Sequence, residues 1–494
     1  MPPTITRRTL MQGGATVAAA ALSGIAASRG RDFSADADVL ARAYGALHPG
    51  LYRYNSPDQV GAHFAALRRA MASHPTLADA YLALARCTAA IRCGHSYPNF
   101  YNQSVGLRRQ LFEARDKLPF LFRWIDRRMV VTRDLSARPM APGTQIERIG
   151  GVPVGRLLEG LMPYARADGH NHAKRRRILE LEAIDRFQAF DIYAPMLWPR
   201  LFGRGTIPIV ARRPDGQTGS RTLTLMTLAE RQAVVPPIGK APGDRISWSL
   251  TRHPGGIACI TMPSWSVYNG SWDWAAWLEA RLDEIASDGT RTLIVDVRGN
   301  EGGLDCGNAI LARLVRQPLT PVRNAARVRA RRVPDDIRQH VDTWDKSFYD
   351  WGDRARGPRA DGYYDLAPDS GDANAALTIE PHGRAFNGKL IVLTDASNSS
   401  ATFGFVQVVR ASGLGQVIGE ATGGNRRGIN GGAFLFLRLP ASGIEVDLPL
   451  IGYFPTDAQP DAGIIPDIEV AETAADIAAG FDRTMATALH VAQS

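Results

Sequence analysis

Cysteine is scarce in this chain. Four residues, Cys87, Cys93, Cys259 and Cys306, are spread through 494 positions. No CxxC or Cys/His spacing occurs, so no cysteine-based metal site is read. Cys87 and Cys93 are near enough in sequence to bridge in an exported protein; two buried free thiols are the alternative. Long apolar runs are also lacking. Beyond the N-terminus no stretch is long and apolar enough to cross a membrane. The glycine-rich turn Arg298-Gly299-Asn300-Glu301-Gly302-Gly303 is not followed by Gly-Lys-Ser/Thr, which excludes a phosphate loop. A nucleic-acid fold signature is missing as well. The formal charge is +9, but its densest clusters, 174–177 and 323–332, are short and read as solvated basic faces.

What is present is ordinary for a globular protein: 45% hydrophobic and 22% charged residues, long enough for about three domains. The first 30 residues stand apart. Arg7 and Arg8 precede an Ala-rich apolar run at 15–27, the order of a basic region and a short hydrophobic region in an export signal. The paired arginines have the form of a twin-arginine signal. Residues 1–30 are therefore expected to be removed between about Ala27 and Asp38. A periplasmic or secreted protein follows, with no membrane span in the mature chain.

Residues 31–118 read as a helical N-terminal domain. Apolar residues recur at helical spacing over 35–47, 57–73 and 77–91, with breaks at His48-Pro49-Gly50 and His74-Pro75. His48 reads as a loop histidine beside a proline. The block closes on Gly94-His95-Ser96-Tyr97, which places an imidazole on a loop. Residues 119–240 are strand-rich, with a strand at 128–133, a strand, Gly150-Gly151 turn and apolar re-entry across 142–154, helices near 154–162 and 173–187, and a hairpin around Pro214-Asp215-Gly216. Residues 245–475 alternate strands and helices, the pattern of an α/β layer. Within them 316–387 has little periodicity and reads as a lid-like or substrate-binding insertion. Residues 476–494 form a C-terminal helix or tail.

The stretch from 388 to 410 organises the rest. Residues 390–393 are a buried strand, Asp395 to Ser399 a turn, and a helix starts near Ala401. Ser400 thus lies where a strand turns into a helix, with a hydroxyl exposed and the following N–H groups able to stabilise negative charge. A plain helix cap would carry the same residue type.

Four segments in order resemble the C-terminal processing, or tail-specific, peptidase family, which includes the tricorn core: Leu293 to Gly303 (LIVDVRGNEGG), Ile391 to Ala401 (IVLTDASNSSA), Val417 to Gly424 (VIGEATGG) and Gly463 to Val470 (GIIPDIEV). The segment IERIGGVPV at 146–154 resembles the corresponding turn of PDZ domains. The resemblance implies an α/β fold with a crotonase-like ββα-spiral peptidase core, a PDZ-like domain and a helical N-terminal domain. It implies Ser400 as nucleophile, and Ala401 with Gly302 or Gly303 as oxyanion donors. In the processing branch a lysine is the base. Here Asn425 takes that position and cannot accept a proton, nor can Arg426 or Arg427. The histidine turn of the tricorn-like branch resembles Gly94-His95-Ser96, which makes His95 the base. The family places an acid shortly before Gly463; Asp461, with Asp457 as alternative, is expected to orient the imidazole. Asp296 and Asp467 read as structural.

The expected activity is that of an exported serine endopeptidase acting on peptide or protein substrates, with no metal or organic cofactor. A catalytically degenerate peptide-binding protein of the same fold is the alternative, motivated by the missing lysine and by the charge of Glu301 beside the oxyanion site. The same serine chemistry would also serve an ester hydrolase.

Overall fold

The computed structural model describes residues 30–182, 184–237, 248–268, 270–320, 324–367 and 378–494; the expected export signal lies outside the described residues. The N-terminal periodicity becomes three helices, Ser34–Leu47, Pro57–Ala72 and Leu77–Ile91. Ser56 and Thr76 start the second and third with reciprocal capping boxes, to Gln59 and Asp79.

An antiparallel unit follows, in the order Phe120–Ile125, Arg128–Asp134, Gln145–Ile149, Thr206–Arg212, Thr218–Thr224, with Val152–Pro153 paired to Gln145–Ile149. The helix expected over 173–187 is confined to His172–Arg177. Its basic residues are not a solvated face: Lys174 and Arg177 are buried. The reason is electrostatic, since Glu301, Asp395, Glu180 and Glu182 meet them from other elements.

The α/β layer is a six-stranded sheet in the order Ile468–Glu469, Gln416–Gly419, Lys389–Thr394, Thr292–Asp296, Ile257–Thr261, Ser249–His253. All pairs are parallel except the last. Thr292–Asp296 is buried throughout, as an apolar run covered on both faces must be. Helices Trp274–Ser287, Gly307–Ala312 and Ser400–Ser412 cover one face. The C-terminal helix Arg483–Gln493 covers the other through Met485, Ala488 and Leu489.

The described residues of 316–387 are built into a sheet. Their strands Asn324–Val328, Val341–Asp342, Ala355–Arg356 and Tyr364–Leu366 pair with Asn430–Arg438 and Glu445–Pro455 in a second six-stranded sheet, antiparallel throughout. These strands are two to five residues long, too short for periodicity to show. One face of this sheet shares a core with the N-terminal helices, through Leu435, Leu437, Val446 and Leu448 against Leu40 and Tyr44. The four cysteines are buried free thiols, so the Cys87–Cys93 bridge does not form.

Candidate active site

Strands Thr292–Asp296 and Lys389–Thr394 are parallel neighbours, so the turns that follow them leave side by side from their carboxyl ends. That edge is where open α/β sheets bind ligands. Asn398 locks the two turns together. Its Nδ2 donates to Val297 O (2.5 Å) and Asn300 O (3.1 Å), and its Oδ1 accepts from Asp395 N–H (2.8 Å). Its carbonyl accepts from Gly423 and Gly424 N–H (2.7 and 3.0 Å), which draws in a third turn. Asp395 adds to the clamp by accepting from Gly299 N–H and Arg177 (both 2.9 Å). Burial alone would raise the pKa of that carboxyl; Arg177 overrides it and holds it below its ordinary value.

Ser400 begins the helix with φ +52°. A non-glycine residue there is strained, and such strain persists only where surrounding structure enforces it. The plain cap is excluded at this position: Ser399 is the N-cap, and its side chain caps nothing in the helix but donates to Glu301 O (3.2 Å). Ala401 N–H lies in the first helical turn, where no intrahelical carbonyl reaches it.

The glycine turn lies directly against this serine. A Cβ on Gly302 (φ +102°) would stand 2.8 Å from Ser400 Cβ and 3.0 Å from Ala401 N. Only glycine fits. Its N–H, however, donates to Asn300 Oδ1 (2.8 Å) and is not free to hold an oxyanion. Gly303 is the other glycine named from sequence. It is fixed by a parallel bridge to the buried Trp265, whose carbonyl accepts from Leu304 N–H (3.0 Å).

His95, from the N-terminal domain, lies within electrostatic reach of Glu301. Its ring packs on Phe434 (centroids 5.7 Å apart), and its Nδ1 is buried without a hydrogen-bond partner. Burial lowers its pKa below the ordinary 6.5, and Asp168 opposes that shift. Asp168 is buried and accepts from Gly94 N–H (2.8 Å), at the root of the histidine turn. Arg166 donates to Gly94 O (2.9 Å) and to Glu301 (3.1 Å). Lys174 pairs with the other Glu301 oxygen and donates to Ser397 O (2.8 Å). The histidine turn and the serine turn thus flank one ion cluster centred on Glu301. Burial would raise the pKa of Glu301, but Lys174 and Arg166 draw it down to about 2.

Asp461, expected to orient His95, does something else. It accepts from His170 N–H (3.0 Å) and Asn425 Nδ2 (2.7 Å), and contacts His170 Nδ1 (2.5 Å). Asn425 also donates to Asp168 O (3.3 Å), so Asp461 bears on the histidine turn only through intermediaries. Asp457 is exposed. Asp296 pairs with Arg298, and Asp467 accepts from Val417 N–H (2.8 Å). His48 lies in the loop after Ser34–Leu47, as expected, and is buried there: Nδ1 accepts from Gly50 N–H (3.1 Å) and Nε2 contacts Ser96 Oγ (2.9 Å). Arg166, Asp168, Lys174 and Asn398 were not foreseen. No local motif marks the first three; Asn398 lay within the quoted serine segment.

Residues 256–470 match the model of Peptidase family S41. That match supports a serine-type peptidase for this segment. No curated protein matches the chain. The solved structure of mature CPAF complexed with lactacystin is similar with a TM-score of 0.60 at 16% identity, over 94% of this chain and 97% of that one. Mature CPAF gives 0.60 and 16%, over 94% and 96%. These two likenesses are of fold, a mixed α/β architecture extending across nearly the whole chain.

Proposed function

We propose that the chain is an exported serine endopeptidase of the histidine-based kind. Ser400 Oγ attacks the peptide carbonyl while His95 takes its proton. The amides of Ala401 and Gly303 hold the oxyanion, and His95 then returns the proton to the leaving amine. The observation that carries this reading is Ser400 itself, held at a left-handed φ on a helix start against the Gly302-Gly303 turn.

Neutral imidazole is the form a base needs, and the burial of His95 favours it. Asp168 takes the place first given to Asp461: as the acid on the histidine turn, it stabilises the imidazolium formed during the reaction. The charge of Glu301, which favoured a catalytically degenerate site, is neutralised by Lys174 and Arg166 and no longer weighs against turnover. We read the parallel layer as the crotonase-like core, the antiparallel unit of 120–224 as PDZ-like, and 34–91 as the helical N-terminal domain.

The test is hydrolysis of an unfolded protein by the purified mature chain. Ser400→Ala is expected to lower kcat on the order of 10³-fold or more. Unchanged cleavage by that variant would overturn the assignment.

A further inference from the structure

The second sheet turns an aromatic face toward the histidine. Along Asn430–Arg438 the side chains alternate: Ala433, Leu435 and Leu437 are buried in the core, whereas Phe434 and Phe436 point the other way and are partly exposed. Trp344, on the loop after Val341–Asp342, packs on both, with centroids 5.8 Å from Phe434 and 5.6 Å from Phe436. Phe348 supports it from behind at 5.5 Å. Despite these contacts Trp344 remains 51% exposed. A single exposed tryptophan means little. This one ends an unbroken row of rings whose other end, Phe434, touches His95.

The backbone of the same strand runs against the imidazole. Gly431 has no side chain, and a Cβ there would lie 3.9 Å from both Cε1 and Nε2 of His95. The backbone at Gly431 and the aromatic row therefore both adjoin His95. We infer that Trp344, Phe434 and Phe436 form a substrate subsite for a large apolar side chain, aromatic or branched aliphatic, within about two residues of the scissile bond. This inference rests on the reading of Ser400 and His95 as the working pair.

The segment that carries Trp344 acquires a role by this account. It is anchored in the sheet by the pairs Val341 to Leu437 and Asp342 to Phe436, so the tryptophan is presented from a fixed edge rather than from a free loop. Rings on rigid strands give contact area at little conformational cost.

The experiment is cleavage-site profiling of the mature protein on a proteome-derived peptide library, beside labelling of Ser400 by a small fluorophosphonate. The wild type is expected to favour Phe, Tyr, Trp, Leu or Ile over Ala by about tenfold at one position near the cut. Trp344→Ala should abolish that preference and Trp344→Phe should keep it. Should Trp344→Ala fail to fold, Trp344→Glu carries the same test: the preference should move to Lys and Arg. A labelled wild type with no apolar preference, or an apolar preference unchanged by Trp344→Ala or by Trp344→Glu, would overturn the subsite and leave the peptidase reading standing. A wild type that neither labels nor cleaves would overturn that reading, and the subsite with it.

Discussion

A serine held at φ +52° pays an energetic penalty that an ordinary helix start would avoid. Gly302 presses on it from one side, and Asn398 fixes the turn that leads into it. The proposed nucleophile is therefore positioned by residues to which no chemical step is assigned. Its base is treated differently. His95 is kept neutral by burial, with Asp168 opposing. The sign of the pH dependence follows. The folded-state pKa lies below the ordinary 6.5, so the base form persists through neutral pH and is lost only as pH falls through that lower value. We expect kcat/KM to be level above about pH 6.5 and to fall below it. A titration of initial rates checks this; an acid limb centred well above 6.5 would point to another base.

At the scale of elements, the short helix His172–Arg177 connects the two halves of the site. Lys174 joins the serine turn to Glu301, and Arg177 joins Asp395 to Glu180 and Glu182. Removing one partner of a buried ion pair strands the other charge. Lys174→Met is therefore expected to cost about 3 kcal/mol or more in chemical denaturation, with Glu301→Gln in the same background restoring part of it. Equal stability of wild type and Lys174→Met would show that the cluster is not coupled to the fold.

This helix also marks what the sequence could reveal. Local signals were legible: helical periodicity located the N-terminal helices, a β-type apolar run located Lys389–Thr394, and glycines located the turn of 298–303. The burial of Lys174 and Arg177 was not, because their partners lie up to 223 residues away, as Ser397 does from Lys174. A run of basic residues looks the same whether water or carboxylates meet it. Ser400 and His95 were named through family likeness. The φ of Ser400, the occupied N–H of Gly302 and the engagement of Asp461 by His170 are products of packing, and no local pattern encodes them.

For the molecule as a whole, the site is assembled from distant parts of the chain. The proposed nucleophile comes from the parallel layer, the proposed base from the N-terminal domain, and the aromatic row from the second sheet. The shared core of Tyr44 and Leu40 with Leu435 and Val446 holds the last two in register. Export belongs to this scale too. Phe33 is buried and its N–H donates to Met71 O (3.0 Å), so a residue just after the expected signal is part of the helical core. Replacing Arg7 and Arg8 by lysine is expected to leave the protein unprocessed in the cytoplasm, read by cell fractionation and by the mass of the N-terminal peptide. Normal processing of that variant would exclude twin-arginine export.

The activated serine is the centre of this account, and a fluorophosphonate probe reads it directly. The mature protein should be labelled at Ser400, located by peptide mass spectrometry, and His95→Ala should lose the label while remaining folded. Labelling that persists undiminished in His95→Ala, or that falls on another serine, would contradict the account.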